Sequence, residues 1–214
     1  MSLTPAVEQL KYELKNYLEQ FDWSKLTSGQ KKVLDTFLQV AVTNGFTSVT
    51  MRSLAKALNM KAPSLYAHFP EGRDEIISQT LRWHYHRYGI SLLQALEQAQ
   101  SLEECWTNTI QAHIENQIYQ PGSELWDLMI ATDKVGGFLQ EDLRLEIEKW
   151  IEFCERVYFA ITDGLHLNPT TEKIKIILTL LDGAKQWAHG QNEKESVLAI
   201  TQRSKVICEA ILRT

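Results

Sequence analysis

Between Lys61 and Phe69 the chain reads Lys-Ala-Pro-Ser-Leu-Tyr-Ala-His-Phe. On a helix, Leu65 and Phe69 share one face, while Lys61, Ala62, Ser64, Tyr66 and His68 are left for the other. That second set consists of small residues and hydrogen-bond donors. It suits a helix that lies in the major groove of DNA and offers donors to phosphates and base edges.

Charge supports the same chemistry. The chain carries a formal net charge of −5, which by itself argues against a nucleic-acid binder. Residues 24–70, however, hold Lys25, Lys31, Lys32, Arg52, Lys56 and Lys61 against Asp35 alone. One basic segment inside an acidic protein is the footprint of a polyanion-binding surface.

Other chemistries find little support. His84 and His86 stand two apart, on different faces of any helix, so they do not share a metal ion. His113, His166 and His189 have no ligand spacing, and no catalytic triad or phosphate-loop pattern occurs. No metal, cofactor or enzymatic activity is expected. Cys105, Cys154 and Cys208 are scattered without a Cys-x-x-Cys pair, which fits structural thiols in a reducing cytoplasm. No apolar run approaches the roughly 18 residues of a membrane span, and the charged N-terminal stretch lacks the apolar centre of a secretory signal.

The elements that position these residues read as helices. Few Gly and Pro, with 44% apolar and 23% charged residues, describe a globular chain that is not all-β. Val7, Leu10, Leu14, Leu18 and Phe21 form one stripe on a helix over residues 6–20. Thr27 and Gln30 make a capping box for the next helix, and Asn44-Gly45 stops it. Thr50 caps a short helix carrying Leu54, Ala55 and Leu58. Asn59 turns the chain, and Pro63 sits in the first turn of a third helix. These two short helices, crossed on the one before, make a helix-turn-helix. Further helices are expected at 73–98, 102–119, from Ser123, at 139–162, 171–189 and 193–213, with Pro121-Gly122, Gly136-Gly137, Gly164 and Asn168-Pro169 as breaks. No segment alternates long enough for a strand, so the fold class is all-α.

Residues 30–77 resemble the DNA-binding domain of the tetracycline-repressor (TetR) family of bacterial transcription regulators. The resemblance rests on the Asn44-Gly45-Phe46 helix end, Thr50 opening the second helix, Leu54-Ala55 within it, and the Ser64-Leu65-Tyr66-x-His68-Phe69 run. It implies a homodimer that binds a palindromic operator in double-stranded DNA, usually as a repressor, and releases it when a small molecule binds the C-terminal domain. By family position Thr50, Arg52, Ser53, Ala62, Pro63, Ser64, Tyr66 and His68 face DNA, joined by Lys61 from its place on the exposed face. The chain departs from the family at Asn59, where a glycine is usual. It departs again at Pro70-Glu71-Gly72-Arg73, where Arg73 takes the role of a phosphate-binding lysine with one residue inserted.

The segments expected are an N-terminal extension helix over 1–24, the helix-turn-helix over 25–75, and an effector and dimerisation domain over 76–214. Within the last, Trp83, Trp106, Trp126, Met129 and Phe153 are candidates to line an apolar cavity. Core filling accounts for the same tryptophans. Two apolar stripes, one from Ile174 to Ala188 and one from Val197 to Ile211, correspond to the family's dimer bundle. An all-helical small-molecule-binding protein or enzyme with an incidental helix-turn-helix remains the alternative.

Overall fold

Thr27 and Gln30 close the start of a helix on each other. The Thr27 hydroxyl accepts from the Gln30 amide at 3.2 Å, and the Gln30 side chain accepts from the Thr27 amide at 3.0 Å. Two of the orphan donors of a helix N-terminus are satisfied in this way. The structure is a computed structural model that describes the chain except residues 1, 46, 47, 121, 122, 124–128, 131, 132, 134–136, 138 and 189–195, and the side chain of residue 42.

Every regular element among the described residues is helical. In chain order the helices are α1 (Pro5–Glu19), α2 (Ser28–Asn44), α3 (Met51–Ala57), α4 (Ala62–His68), α5 (Arg73–Gln98), α6 (Leu102–Tyr119), α7 (Glu141–Gly164), α8 (Thr171–Asp182), α9 (Ala184–Ala188) and α10 (Val197–Arg213). A 3-10 turn, Trp23–Lys25, lies between α1 and α2. Side-chain hydroxyls cap six of them: Thr4, Thr27, Thr50, Ser101, Thr170 and Ser196 each accept an amide at the helix start. Each such cap contributes about 0.5–2 kcal/mol.

The chain divides into two compact units. The first holds residues 21–87 and 121–144. Its core contains Leu34 and Phe37 of α2, Leu54 of α3, Leu65 of α4, and Ile76 and Ile77 of α5, with Val49, Leu58 and Phe69 from the connections. The second holds residues 1–20, 88–120 and 145–214. There α1 buries Val7, Leu10, Leu14 and Leu18, as their spacing predicts, but it ends at Glu19, so Phe21 falls outside the helix and is half-buried. Helix α5 is continuous through residues 75 and 76, and the compact units part within the same helix at 87/88.

Glycine makes room for α1 at two places. A Cβ on Gly89, in the middle of α5, would stand 2.8 Å from Leu18 and 3.2 Å from Trp150. A Cβ on Gly164 would stand 2.9 Å from both Thr4 and Leu102. Gly164 therefore ends α7 as a close-approach residue. The left-handed backbone that turns the chain comes later, at His166 and Asn168.

The C-terminal helices differ from the expectation in two respects. The helix expected over 171–189 is broken at Gly183 into α8 and α9; the Leu181, Ala184 and Ala188 spacing runs through the break and conceals it. Most of the two stripes also serves the unit's own core: Ile174, Ile177, Leu181, Ala184, Ala188, Ile200 and Ser204 are buried. The apolar side chains left outside on α8 and α10 are Ile176, Leu198, Val206 and Ile207.

Candidate nucleic-acid interface

Helix α3 starts on a reciprocal cap. The Ser53 amide donates to the Thr50 hydroxyl at 3.1 Å, and the Thr50 amide donates to the Ser53 hydroxyl at 2.9 Å. The helix buries Leu54 and Ala55, which leaves Arg52 and Lys56, one turn apart, exposed on its outer side. The turn to α4 uses Asn59 at φ 53°, a left-handed conformation that asparagine tolerates, and the Met60 amide closes it on the Ala55 carbonyl at 2.9 Å.

Helix α4 is anchored by Leu65, with Phe69 at its C-cap, both fully buried. Lys61, Pro63, Ser64 and Tyr66 are thereby exposed, and Ala62 and His68 are half-buried. Pro63 lies in the first turn, where its missing amide is no loss. Among the described residues the side chains of Arg52, Lys56 and Lys61 form no ion pair, so their charge is available to a polyanion. Lys25, by contrast, pairs with Asp22 at 3.1 Å, and Lys31 stands 5.9 Å above the Trp83 ring.

Three contacts fix this surface. The Gln30 side-chain amide donates to the His68 carbonyl at 3.3 Å, tying the end of α4 to the start of α2. The His68 ring lies over Gly29, where a Cβ would be 3.6 Å from its Nε2. Gly72, at φ 77°, admits the Tyr66 ring, which a Cβ there would meet at 3.2 Å.

Residues 33–80 match the family model for bacterial regulatory proteins of the tetR family. Residues 33–80 thus form a domain similar to that family's. Solved structures share the fold across nearly their whole length. A tetR-family regulatory protein from Rhodococcus RHA1 is similar at TM-score 0.73 and 11% identity, over 87% of this chain and 98% of that one. The ketosteroid transcriptional regulator KstR2 of Mycobacterium tuberculosis is similar at 0.69 and 12%, over 87% and 95%. The TetR-family regulator PfmR of Thermus thermophilus is similar at 0.64 and 18%, over 85% and 97%. No curated protein sequence matches the chain.

Within the TetR-type domain the structure gives some residues tasks that spacing did not show. Arg73 donates from Nε to the Val49 carbonyl at 2.7 Å, so its guanidinium braces the residue before the Thr50 cap. The Thr50 and Ser53 hydroxyls hold each other as well as facing outward. Lys56 counts in the basic segment but not among the residues expected to face DNA; its i+4 relation to Arg52 is the signal that joins it to them.

The candidate ligand residues fall in both units. Trp83 lies edge-on to Trp23 at 5.1 Å, and Met129 is buried, both in the unit that contains the TetR-type domain. Trp106 and Phe153 belong to the other unit. Trp106 packs edge-on to Tyr158 at 5.6 Å, and Phe153 stacks on Trp150 at 6.0 Å. Trp126 lies outside the described residues. Trp150, not among the candidates, stacks on Phe153 and Tyr17 and meets Tyr88 edge-on. No group of histidine, cysteine and acidic side chains among the described residues could hold a metal ion. No helix among them is long and apolar enough to cross a membrane. Burial, with Arg87 nearby, pushes His84 down to about 4, so it is uncharged at neutral pH.

Proposed function

We propose that the protein is a homodimeric transcriptional repressor that leaves its operator when a small, largely apolar ligand binds the helices beyond the TetR-type domain. The observation that carries the DNA-binding part is the outer side of α3 and α4. Arg52, Lys56 and Lys61 stand there without ion-pair partners among the described residues, beside Ser64 and Tyr66. Thr50, Ser53, Ala62, Pro63 and His68 complete that surface, and Arg73 holds the loop before it.

The exposed Ile176, Leu198, Val206 and Ile207 on α8 and α10 support association with a second copy, because large apolar side chains left in water gain from burial. A two-fold dimer must present its recognition helices about 34–36 Å apart to reach two half-sites. The mostly aromatic interior around Trp106, Trp150 and Phe153 supports an apolar or aromatic ligand.

The deciding experiment sequences the genomic fragments that the purified full chain retains. An enriched inverted repeat upstream of a transcription unit, with loss of transcription when the chain is expressed, is the expected result. Retention without sequence enrichment, or activation of the reporter, overturns the reading.

A further inference from the structure

One side chain serves two helices of the first unit. The Gln30 side-chain oxygen accepts from the Thr27 backbone amide at 3.0 Å and from the Thr27 hydroxyl at 3.1 Å, which closes the start of α2. Its nitrogen points the other way and donates to the His68 carbonyl, at the end of α4, at 3.3 Å. Together the contacts fix the orientation of the amide. Turned over, it would set a donor against the Thr27 amide and an oxygen against the carbonyl. Gln30 and His68 stand 38 positions apart in sequence and lie in the same compact unit.

The His68 carbonyl needs this donor. It is among the last carbonyls of α4, which have no partner within the helix. The amides that follow are engaged elsewhere: Phe69 donates to the Leu65 carbonyl, Pro70 has no amide hydrogen, Glu71 donates to the Glu75 side chain, and Gly72 donates to the Phe69 carbonyl. The His68 ring lies over Gly29, at van der Waals distance from a Cβ built there. The backbone and the ring of one residue are thus both held against the first turn of α2.

Otherwise α4 is seated by apolar contact. It has seven residues, no side chain caps its start, and it buries Leu65 along its length and Phe69 at its end. Such contacts hold a helix down without setting its direction. A hydrogen bond to its last carbonyl does set it. At 1.5 Å per residue the helix is about 10 Å long, so a swing of about 10° about its C-terminal end moves its first turn by about 2 Å. Hydrogen bonds to bases and phosphates act over about 3 Å and do not survive such a displacement. The exposed Lys61 and Ser64 stand at that moving end.

We propose that Gln30 is a positioning residue for sequence discrimination: its oxygen stabilises α2, and its nitrogen, acting through the His68 carbonyl, sets the angle at which α4 meets DNA. The proposal rests on the reading of α3 and α4 as the DNA-binding surface.

The test compares the full chain with Gln30→Glu and Gln30→Met. Glutamate keeps the acceptor and loses the donor. Methionine, of similar length, loses both and adds no charge. Circular dichroism follows melting. Fluorescence anisotropy gives affinities for the sequence that the parent enriches from genomic fragments and for a shuffled duplex of equal composition. Melting should follow the acceptor: Gln30→Glu melts within about 2 °C of the parent, and Gln30→Met melts several degrees lower. Discrimination should follow the donor: in both variants the ratio of the two affinities falls about three- to tenfold per half-site, the fold-change of one neutral hydrogen bond. An unchanged ratio overturns the proposal and leaves the DNA-binding reading standing. Equal loss of affinity for both duplexes also overturns it, reducing Gln30 to a phosphate contact or a matter of charge. A ratio that falls in Gln30→Met alone overturns it in favour of the cap, and one that falls in Gln30→Glu alone in favour of charge. If Gln30→Met does not fold, the ratio in Gln30→Glu decides. A parent that enriches no sequence overturns the reading of α3 and α4, and the proposal with it.

Discussion

Arg73 Nε and the Val49 carbonyl meet at 2.7 Å across 24 positions of sequence. Val49 is buried and immediately precedes Thr50, whose hydroxyl caps α3. The first residue of α5 therefore holds the entrance of α3, and the exposed side of α3 inherits its placement from a residue two helices away.

Arg73→Met should cost about 1–3 kcal/mol of stability, because the Val49 carbonyl loses a charged donor. DNA affinity should fall further than the charge alone explains. Urea denaturation and gel shifts at two salt concentrations measure the two effects. A variant whose entire loss of affinity disappears at high salt would make Arg73 a simple phosphate contact.

Arg52→Ala and Lys56→Ala should each weaken DNA binding and lower the slope of log affinity against log salt by about one. Neither should shift the melting temperature appreciably, since neither side chain has an ion-pair partner among the described residues. Tyr66→Phe should weaken binding with little change in that slope. Unchanged slopes for both cation variants would place the phosphates elsewhere.

Val206→Glu should yield a folded monomer, because Val206 is 68% exposed in the single chain. Leu181→Glu should instead unfold the protein, since Leu181 is completely buried and a carboxylate there has no partner. Sedimentation together with circular dichroism separates the two outcomes. A Val206→Glu protein that still sediments as a dimer would exclude this face.

Acid should destabilise the protein through His84. Its folded value of about 4 lies below the unfolded value, so the unfolded chain binds the proton first. The contribution is present above about pH 6.5 and is lost as pH falls toward 4, up to about 3 kcal/mol. His84→Gln should flatten the difference in unfolding free energy between pH 7.5 and 5. A variant as acid-sensitive as the parent would assign the loss to other groups.

The local parts of this fold were legible in the sequence because their hydrogen bonds close within three or four residues. The Thr27–Gln30 box, the Thr50 cap, the left-handed Asn59 and the early Pro63 all stand where the spacing placed them. The exposed side of α4 followed from Leu65 and Phe69 alone. Long-range relations left no such trace. His113 and Asp182 are 69 positions apart, and a histidine on an apolar helix face reads the same whether or not a carboxylate waits for it. The break at Gly183 was concealed by apolar spacing that continues through it. The Arg73–Val49 contact left none either, because a cation at a helix start does not reveal that a carbonyl 24 positions earlier is its partner.

Gly89 ties two distant mutations to each other. Its missing side chain is the space that the Leu18 methyl occupies, so the two positions behave as a lock and its key. A branched residue at 89 would be tolerated only in a chain that had already shortened Leu18 or lost α1. The order in which such substitutions can accumulate is therefore constrained, because bulk at 89 needs Leu18 shortened first and the Trp150 ring, 3.2 Å from a Cβ there, displaced as well.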